Sequence, residues 1–410
     1  MSAFYVTDVV LATPPAQPGY LYGCYDGTYI WAVTGEVGGR KLVRVRASDG
    51  VIVGTDGLDT DYLGANAFFT ITAAAGQAPK GIVYCPGTNE IAIPCGENVE
   101  FFNATTFAHT ATVYIGSGHY SESVCTDGTT HYLITDWNGL GSQRLRSINP
   151  TSRVITNVGP LTGSGWASYE TVQCLKVNGF IWISDGNRSN SVYKVDPATG
   201  AVVQAVVVSS VNSSGTCIAT DGTYLFSGTN SLRFTTIRLS DGAWMKANKT
   251  VGAAYTDAQT LCWNGVTPTT LACIDGDLLV GVNVGGNGRF ERYRISDLKL
   301  GAIMVGYGGD PAYVALTPSA LWSCNTLGTG QSGQGHLSYV GILTPPANLT
   351  NVDPGTGPRL SLGFDGPVGI TGPTLGPKVG PVNVLGATSV DATHIDVDLS
   401  IRPPASGVGF

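Results

Sequence analysis

The residues of this 410-residue chain best able to hold a metal or move a proton are five histidines, nine cysteines and scattered carboxylates. His109, His119, His131, His336 and His394 lie in separate segments, with no HExxH and no Cys-His pair at metal-binding spacing. They read as solvated loop histidines. Asp56, Asp59 and Asp61 are close together but lack the Asp-x-Asp-x-Asp-Gly spacing that wraps calcium, so an ordinary acidic loop is expected there. A catalytic centre needs convergent acid, base, nucleophile or metal ligands. The spacing offers none, and the expectation is a protein that is not an enzyme, with no catalytic residue, no metal and no cofactor.

A second set of residues suits binding. Basic residues recur after Gly- or Asn-rich turns: Arg40 after Gly38-Gly39, Arg144 after Gly141-Ser142-Gln143, Arg188 after Asp185-Gly186-Asn187, Arg233 after Asn230-Ser231-Leu232, and Arg289 after Gly286-Asn287-Gly288. Aromatic residues mark the alternate turns, among them Trp166, Tyr169 and Tyr255, and Trp137 adds to the same face. Arginine and aromatic side chains are enriched at contact surfaces. Trp137, Arg144, Trp166, Tyr169, Arg188, Arg233, Tyr255 and Arg289 are therefore the candidate contact residues, expected on one face.

That face requires a repeating scaffold, and the chain supplies one. Cys24-Tyr25-Asp26-Gly27-Thr28-Tyr29-Ile30-Trp31 returns as Cys217-Ile218-Ala219-Thr220-Asp221-Gly222-Thr223-Tyr224-Leu225-Phe226, with weaker copies at Cys125, Cys174 and Cys273. A self-similar period of about 40 to 60 residues points to a propeller or solenoid. The clearest unit has strands at 172–177, 180–184, 191–195 and 201–208, joined by turns rich in Asp, Asn, Gly and Pro. The expected fold is an all-β, seven-bladed β-propeller of four-stranded blades beginning near Leu21, Ala67, Ser121, Thr171, Gly215, Thr269 and Tyr313. The last unit stops at Pro345-Pro346 before a fourth strand, and the apolar segment 4–11 is expected to supply it, closing the ring and hiding its edges.

The segment Val192-Tyr193-Lys194-Val195-Asp196-Pro197-Ala198-Thr199-Gly200 resembles the repeat of the NHL and YVTN propeller families. The resemblance implies architecture and says little about activity. Ser240-Asp241-Gly242-Ala243-Trp244 is similar to the Asp-box of sialidase propellers, but it lacks that box's spacing and occurs once.

At 43% hydrophobic residues the chain can bury a large core, while 12% charged residues and a net charge of −7 leave no basic tract for nucleic acid. No run reaches the roughly 18 apolar residues of a membrane helix, and no positive segment leads an apolar core at the N-terminus, so an exported form would need a leader outside this numbering. Cys24, Cys85, Cys125, Cys174, Cys217 and Cys273 recur once per unit on its first strand, where a free thiol serves as a small apolar side chain. Reduced core thiols are expected.

The domains expected are a propeller over 1–345 and an extended, Gly/Pro-rich arm over 346–410. The irregular Gly-Pro intervals exclude a collagen helix. Leu360, Leu362, Phe364 and Ile370 keep the arm apolar enough to contact neighbouring subunits, and the segments flanking Ser389-Val390-Asp391-Ala392-Thr393 read as a terminal hairpin suited to a partner's sheet. Propeller and arm together resemble a bacteriophage virion component of a tail, neck or fibre. The expected role is structural or adhesive and the expected location the virion. The partners would be other virion proteins, copies of the chain itself, or a host surface glycan or protein, with no nucleic acid and no membrane insertion. The alternative is a secreted or surface carbohydrate-binding, lectin-like propeller; a lactonase- or glycosidase-type propeller enzyme ranks third.

Overall fold

The computed structural model describes residues 4–10, 20–34, 40–60, 64–71, 79–137, 143–161, 171–185, 191–207, 215–229, 233–250, 268–274, 276–284, 287–296, 298, 300–305, 310–317, 320–326, 336–342, 359–361, 383–389 and 395–400. These residues build an all-β propeller of antiparallel blades. Strand β1 (Phe4–Val10) precedes the first blade, which consists of β2 (Tyr20–Tyr25), β3 (Tyr29–Thr34) and β4 (Arg40–Arg46), with the short β5 (Ile52–Val53), β6 (Asp59–Thr60) and β7 (Phe69–Ile71) outside them. The second blade is β8 (Val83–Cys85), β9 (Glu90–Cys95), β10 (Asn98–Asn103) and β11 (His109–Tyr114). The third is β12 (His119–Thr126), β13 (His131–Trp137), β14 (Arg144–Ile148) and β15 (Ile155–Pro160).

The fourth blade is β16 (Thr171–Val177), β17 (Phe180–Asp185), β18 (Ser191–Val195) and β19 (Val202–Val207). The fifth is β20 (Gly215–Thr220), β21 (Tyr224–Thr229), β22 (Arg233–Arg238) and β23 (Trp244–Thr250), and the sixth β24 (Pro268–Ile274), β25 (Asp277–Val284), β26 (Asn287–Arg294) and β27 (Leu300–Val305). A composite sheet follows. Strands β28 (Asp310–Leu316), β29 (Ala320–Thr326) and β30 (His336–Ile342) are joined by β1 and then by β31 (Arg359–Ser361). Strands β32 (Asn383–Ser389) and β33 (Ile395–Ser400) pair with each other.

Two expectations need correction. Seven equivalent four-stranded blades are not what forms: six blades are each one continuous stretch of chain, and a five-stranded sheet assembled from distant segments completes the circle. In that sheet β1 pairs antiparallel with β30 from Phe4 opposite Ile342 to Val10 opposite His336, so the N-terminal strand closes the ring. The second blade begins at Val83 and not near Ala67. Strand β5 pairs β4 only at Val45, leaving the other half of that edge open, and β7 fills it with Phe69 opposite Leu42.

The first strands contact one another around the circle, β2 with β8 and so on to β28, which returns to β2. The core lies between blades because strand side chains alternate between faces. On β3 and β4, Ile30, Ala32, Val43 and Val45 pack with Trp322 and Cys324 of the composite sheet, while Trp31, Val33 and Leu42 pack with Ile91 and Ile93 of the second blade. The turns follow one chemistry: Asp26, Asp127 and Asp221 each accept two backbone N–H bonds ahead of the second strand. The glycines that follow, Gly27, Gly128 and Gly222, have φ of 105°, 92° and 87°, which favours residues without a Cβ.

Eight cysteines fall among the described residues and all are free thiols; Cys262 lies outside them. Burial pushes Cys24, Cys273 and Cys324 up, and Cys95 to about 12. Cys125 is raised first by its hydrogen bond to Cys174 of the next blade and then by burial. Among the described residues no helix is long and apolar enough to cross a membrane.

Candidate contact face

The antiparallel order brings the ends of second strands and the starts of third strands to one end of the ring. Arg144 begins β14 opposite Thr135, Arg233 begins β22 opposite Thr229, and Trp137 ends β13 opposite His119. Arg40 begins β4, and Arg289 sits in β26 opposite Val282. Arg289 is buried: its Nε and Nη2 lie 3.1 and 2.5 Å from Glu291 Oε1, and Glu291 Oε2 accepts the Tyr293 hydroxyl at 2.5 Å. Its charge is thus held inside the blade. Trp166, Tyr169, Arg188 and Tyr255 lie outside the described residues, as do Leu362, Phe364 and Ile370; Leu360 lies in β31 opposite Tyr5.

The side chains of Arg144 and Arg146 share a face of β14, because residues two apart on a strand point the same way. Between them Leu145 turns the other way, into the core shared with the fourth blade, while Ile148 joins the core of the second. The two arginines therefore face the second blade. Arg146 is 8% exposed, and its Nη1 donates to the carbonyl of Ile115. Its Nε has no partner, nor does that of Arg144. Burial lowers the Arg146 pKa, and the neighbouring charge of Arg144 lowers it further.

His119 stands beside them. Burial, then Arg146 and Arg144, hold its pKa below the ordinary histidine value, with Glu97 opposing. The turn before it carries Gly116 at φ +112° and Gly118, whose N–H donates to Glu97 Oε1 at 2.6 Å. A Cβ at Gly116 would meet His119 Cδ2 at 3.1 Å and Arg146 Nη1 at 3.9 Å.

The other flank of the second blade also carries buried arginines. Arg40, 2% exposed, leaves Nε and Nη2 without partners. Arg44 is better held. Its Nη1 donates to Thr105 O at 2.8 Å and Ala104 O at 3.3 Å, and its guanidinium lies 4.7 Å from the Tyr29 ring, 5.2 Å from Phe107 and 5.5 Å from Trp31. Cation–π attraction is strongest where water is absent, so this arginine fastens the first blade to the second. Arg44 and Arg146 are missing from the sequence reading. The available signal was spacing, since each lies an even number of residues beyond an arginine already singled out.

The acidic residues are committed locally. Asp56 accepts the Asn66 side chain at 2.7 Å and Leu58 N–H at 3.1 Å, Asp59 pairs with Arg46, and Asp61 lies outside the described residues. Among the described residues no group of three or more His, Cys, Asp or Glu is placed to hold a metal.

For two of the expected solvated histidines, His119 and His131, the structure differs. His131 is fully buried in β13, edge-on to Phe101 with ring centroids 5.5 Å apart, and His119 is buried in β12. His109 stacks on Phe69 at 5.6 Å and bonds Glu100 at 2.8 Å. His119 and His131 sit on strands whose alternation carries them between blades, whereas His109 stays exposed at the start of β11. His336 is in β30, and His394 lies outside the described residues.

No protein-family model matches the chain and no curated protein matches it. The likeness to NHL and YVTN repeats therefore rests on the repeat pattern alone, and what the structure establishes is the propeller.

Proposed function

We propose that this protein is a non-enzymatic structural and adhesive component of a virus particle, of the bacteriophage tail, neck or fibre kind. Its propeller is the docking or receptor-facing module, and its Gly/Pro-rich arm binds neighbouring virion subunits through Leu362, Phe364 and Ile370, beyond the short β31 that pairs Leu360 with the propeller's own β1. The composite sheet acts in this reading as a seventh blade. The observation that carries the proposal is the placing of Arg144 and Arg233 with Trp137 at one end of the ring, contributed by two different blades. A surface built from repeated turns on a rigid scaffold suits recognition.

The test is mass spectrometry of purified particles from a culture that expresses the chain, with limited proteolysis of particle and isolated protein in parallel. The expected result is a stoichiometric particle component whose residues 346–410 resist protease in the particle and are trimmed from the isolated chain. Absence from particles, or equal trimming in both states, overturns the reading. The same arginine and tryptophan positions favour the second reading, a secreted or surface carbohydrate-binding propeller; saturable glycan-array binding by a protein absent from particles would select it.

A further inference from the structure

We propose that Arg144, Arg146 and His119, with the turn over 115–119, form an oxyanion seat between the second and third blades that takes the carboxylate or sulfate of an acidic sugar. The proposal deepens the reading of this end as a contact face and rests on it. Two guanidiniums lie on one strand face, and neither forms an ion pair with a described residue. Adjacent like charges on a strand repel, and a buried cation without a counter-ion is costly. Arg146 nevertheless keeps a bare Nε at 8% exposure, and Arg144 keeps a bare Nε beside it. Planar guanidiniums present paired donors that match a carboxylate or sulfate.

At φ +112° Gly116 suits no side chain, and a Cβ there would crowd His119 and stand close to the Arg146 head group. Glu97 Oε1, at this turn, accepts the Gly118 N–H. The sugar is argued from the neighbour: Trp137 lies directly opposite His119 in the ladder. Aromatic rings beside charged donors offer a sugar an apolar face and a polar handle.

The experiment titrates the full chain with sodium glucuronate, sodium sulfate, glucose, an aspartate dipeptide and sodium chloride at matched ionic strength, by calorimetry and by the His119 ring resonances. Glucuronate and sulfate are expected to bind saturably and shift His119, with glucose and chloride inert. Arg144→Gln should weaken binding at least tenfold with an unchanged Tm, and Gly116→Ala should weaken it as well. Chloride reproducing the effect, no saturable binding, or unchanged affinity in Arg144→Gln would overturn the seat. Binding of the dipeptide without glucuronate would overturn the sugar assignment. A protein absent from particles that still binds glucuronate through Arg144 would end the virion reading and keep the seat.

Discussion

Arg153 of the third blade ion-pairs with Glu90 of the second while its guanidinium lies 4.1 Å from the Phe101 ring centroid. With Arg146 donating to Ile115 and Arg44 reaching Ala104 and Thr105, the second blade is gripped by arginines from both neighbours. Charged donors on backbone carbonyls and aromatic faces fix the blade-to-blade angle in a way that apolar packing does not.

Arg153→Ala should therefore destabilise the propeller by about 2 kcal/mol, because it leaves the buried Glu90 with Thr110 as its remaining side-chain donor. Arg153 has φ +60°, a left-handed conformation that costs an L-residue roughly 1 kcal/mol. Arg153→Gly should accordingly be the milder variant. Urea unfolding of both checks this, and equal losses would show that the backbone conformation carries no cost.

His131 makes the same interface acid-sensitive. Burial first, and Arg153 second, lower its pKa from 6.5 to about 4, with Glu90 and Asp127 opposing. Above pH 6.5 both folded and unfolded chains hold it neutral. Between pH 6.5 and 4 the unfolded chain takes a proton that the folded one refuses, so stability falls by about 3 kcal/mol over that window. His131→Leu should remove this share of the decline when unfolding is compared at pH 7 and pH 4.5. A variant with the same pH slope as the parent would locate the acid sensitivity elsewhere.

The seam gives a third expectation. Strand β1 pairs β30 over seven residues, so removing residues 1–12 strips a full ladder from the composite sheet and exposes an edge. Net worth is about 1 kcal/mol per ladder hydrogen bond, and the truncated chain should lose several kcal/mol and gain a tendency to self-associate. Thermal melting with light scattering reads both, and an unchanged melting temperature would mean that the ring does not depend on β1.

Much of this architecture was legible because turn chemistry is local. In the fourth blade the pattern from Val172 to Gly200 marks each strand to within a residue or two, since Asp, Asn and Gly announce their own backbone angles. The limits of the first blade were not legible. Nothing in Phe69-Thr70-Ile71 reveals that β5 is too short to cover β4, and an apolar strand pairs with whichever edge is open. The site was legible as positions and not as environments. Arg289 resembles Arg144 in its turn and shares its strand parity, yet Glu291 two residues on neutralises the first, while Arg146 stands at the matching place beside the second.

Thiol reactivity should separate the folded from the unfolded chain. All eight described cysteines are free, and burial pushes Cys95 to about 12, so little thiolate forms at neutral pH. In denaturant, without reductant, Ellman titration should count close to nine thiols per chain. The native protein should react with only a small fraction of them over the same time. Rapid native labelling of most thiols would contradict the burial, and a low count in denaturant would mean that disulfides form.

The repeated Asp turn allows a comparison within one molecule. Asp221 Oδ1 accepts Thr223 N–H at 2.8 Å and Tyr224 N–H at 2.7 Å, and Asp26 Oδ1 accepts Thr28 and Tyr29 at the same two distances. Asp26 has a further duty: its Oδ2 accepts the indole Nε1–H of the fully buried Trp31 at 2.7 Å. Truncating an aspartate that caps only its own turn costs about 1 kcal/mol, whereas stranding a buried donor adds its desolvation penalty of roughly 1 to 3 kcal/mol. Asp26→Ala should thus destabilise the protein by about 1 to 3 kcal/mol more than Asp221→Ala, and Trp31 fluorescence should change in the first variant alone. Equal losses in urea unfolding would show that the indole hydrogen bond adds nothing to the turn.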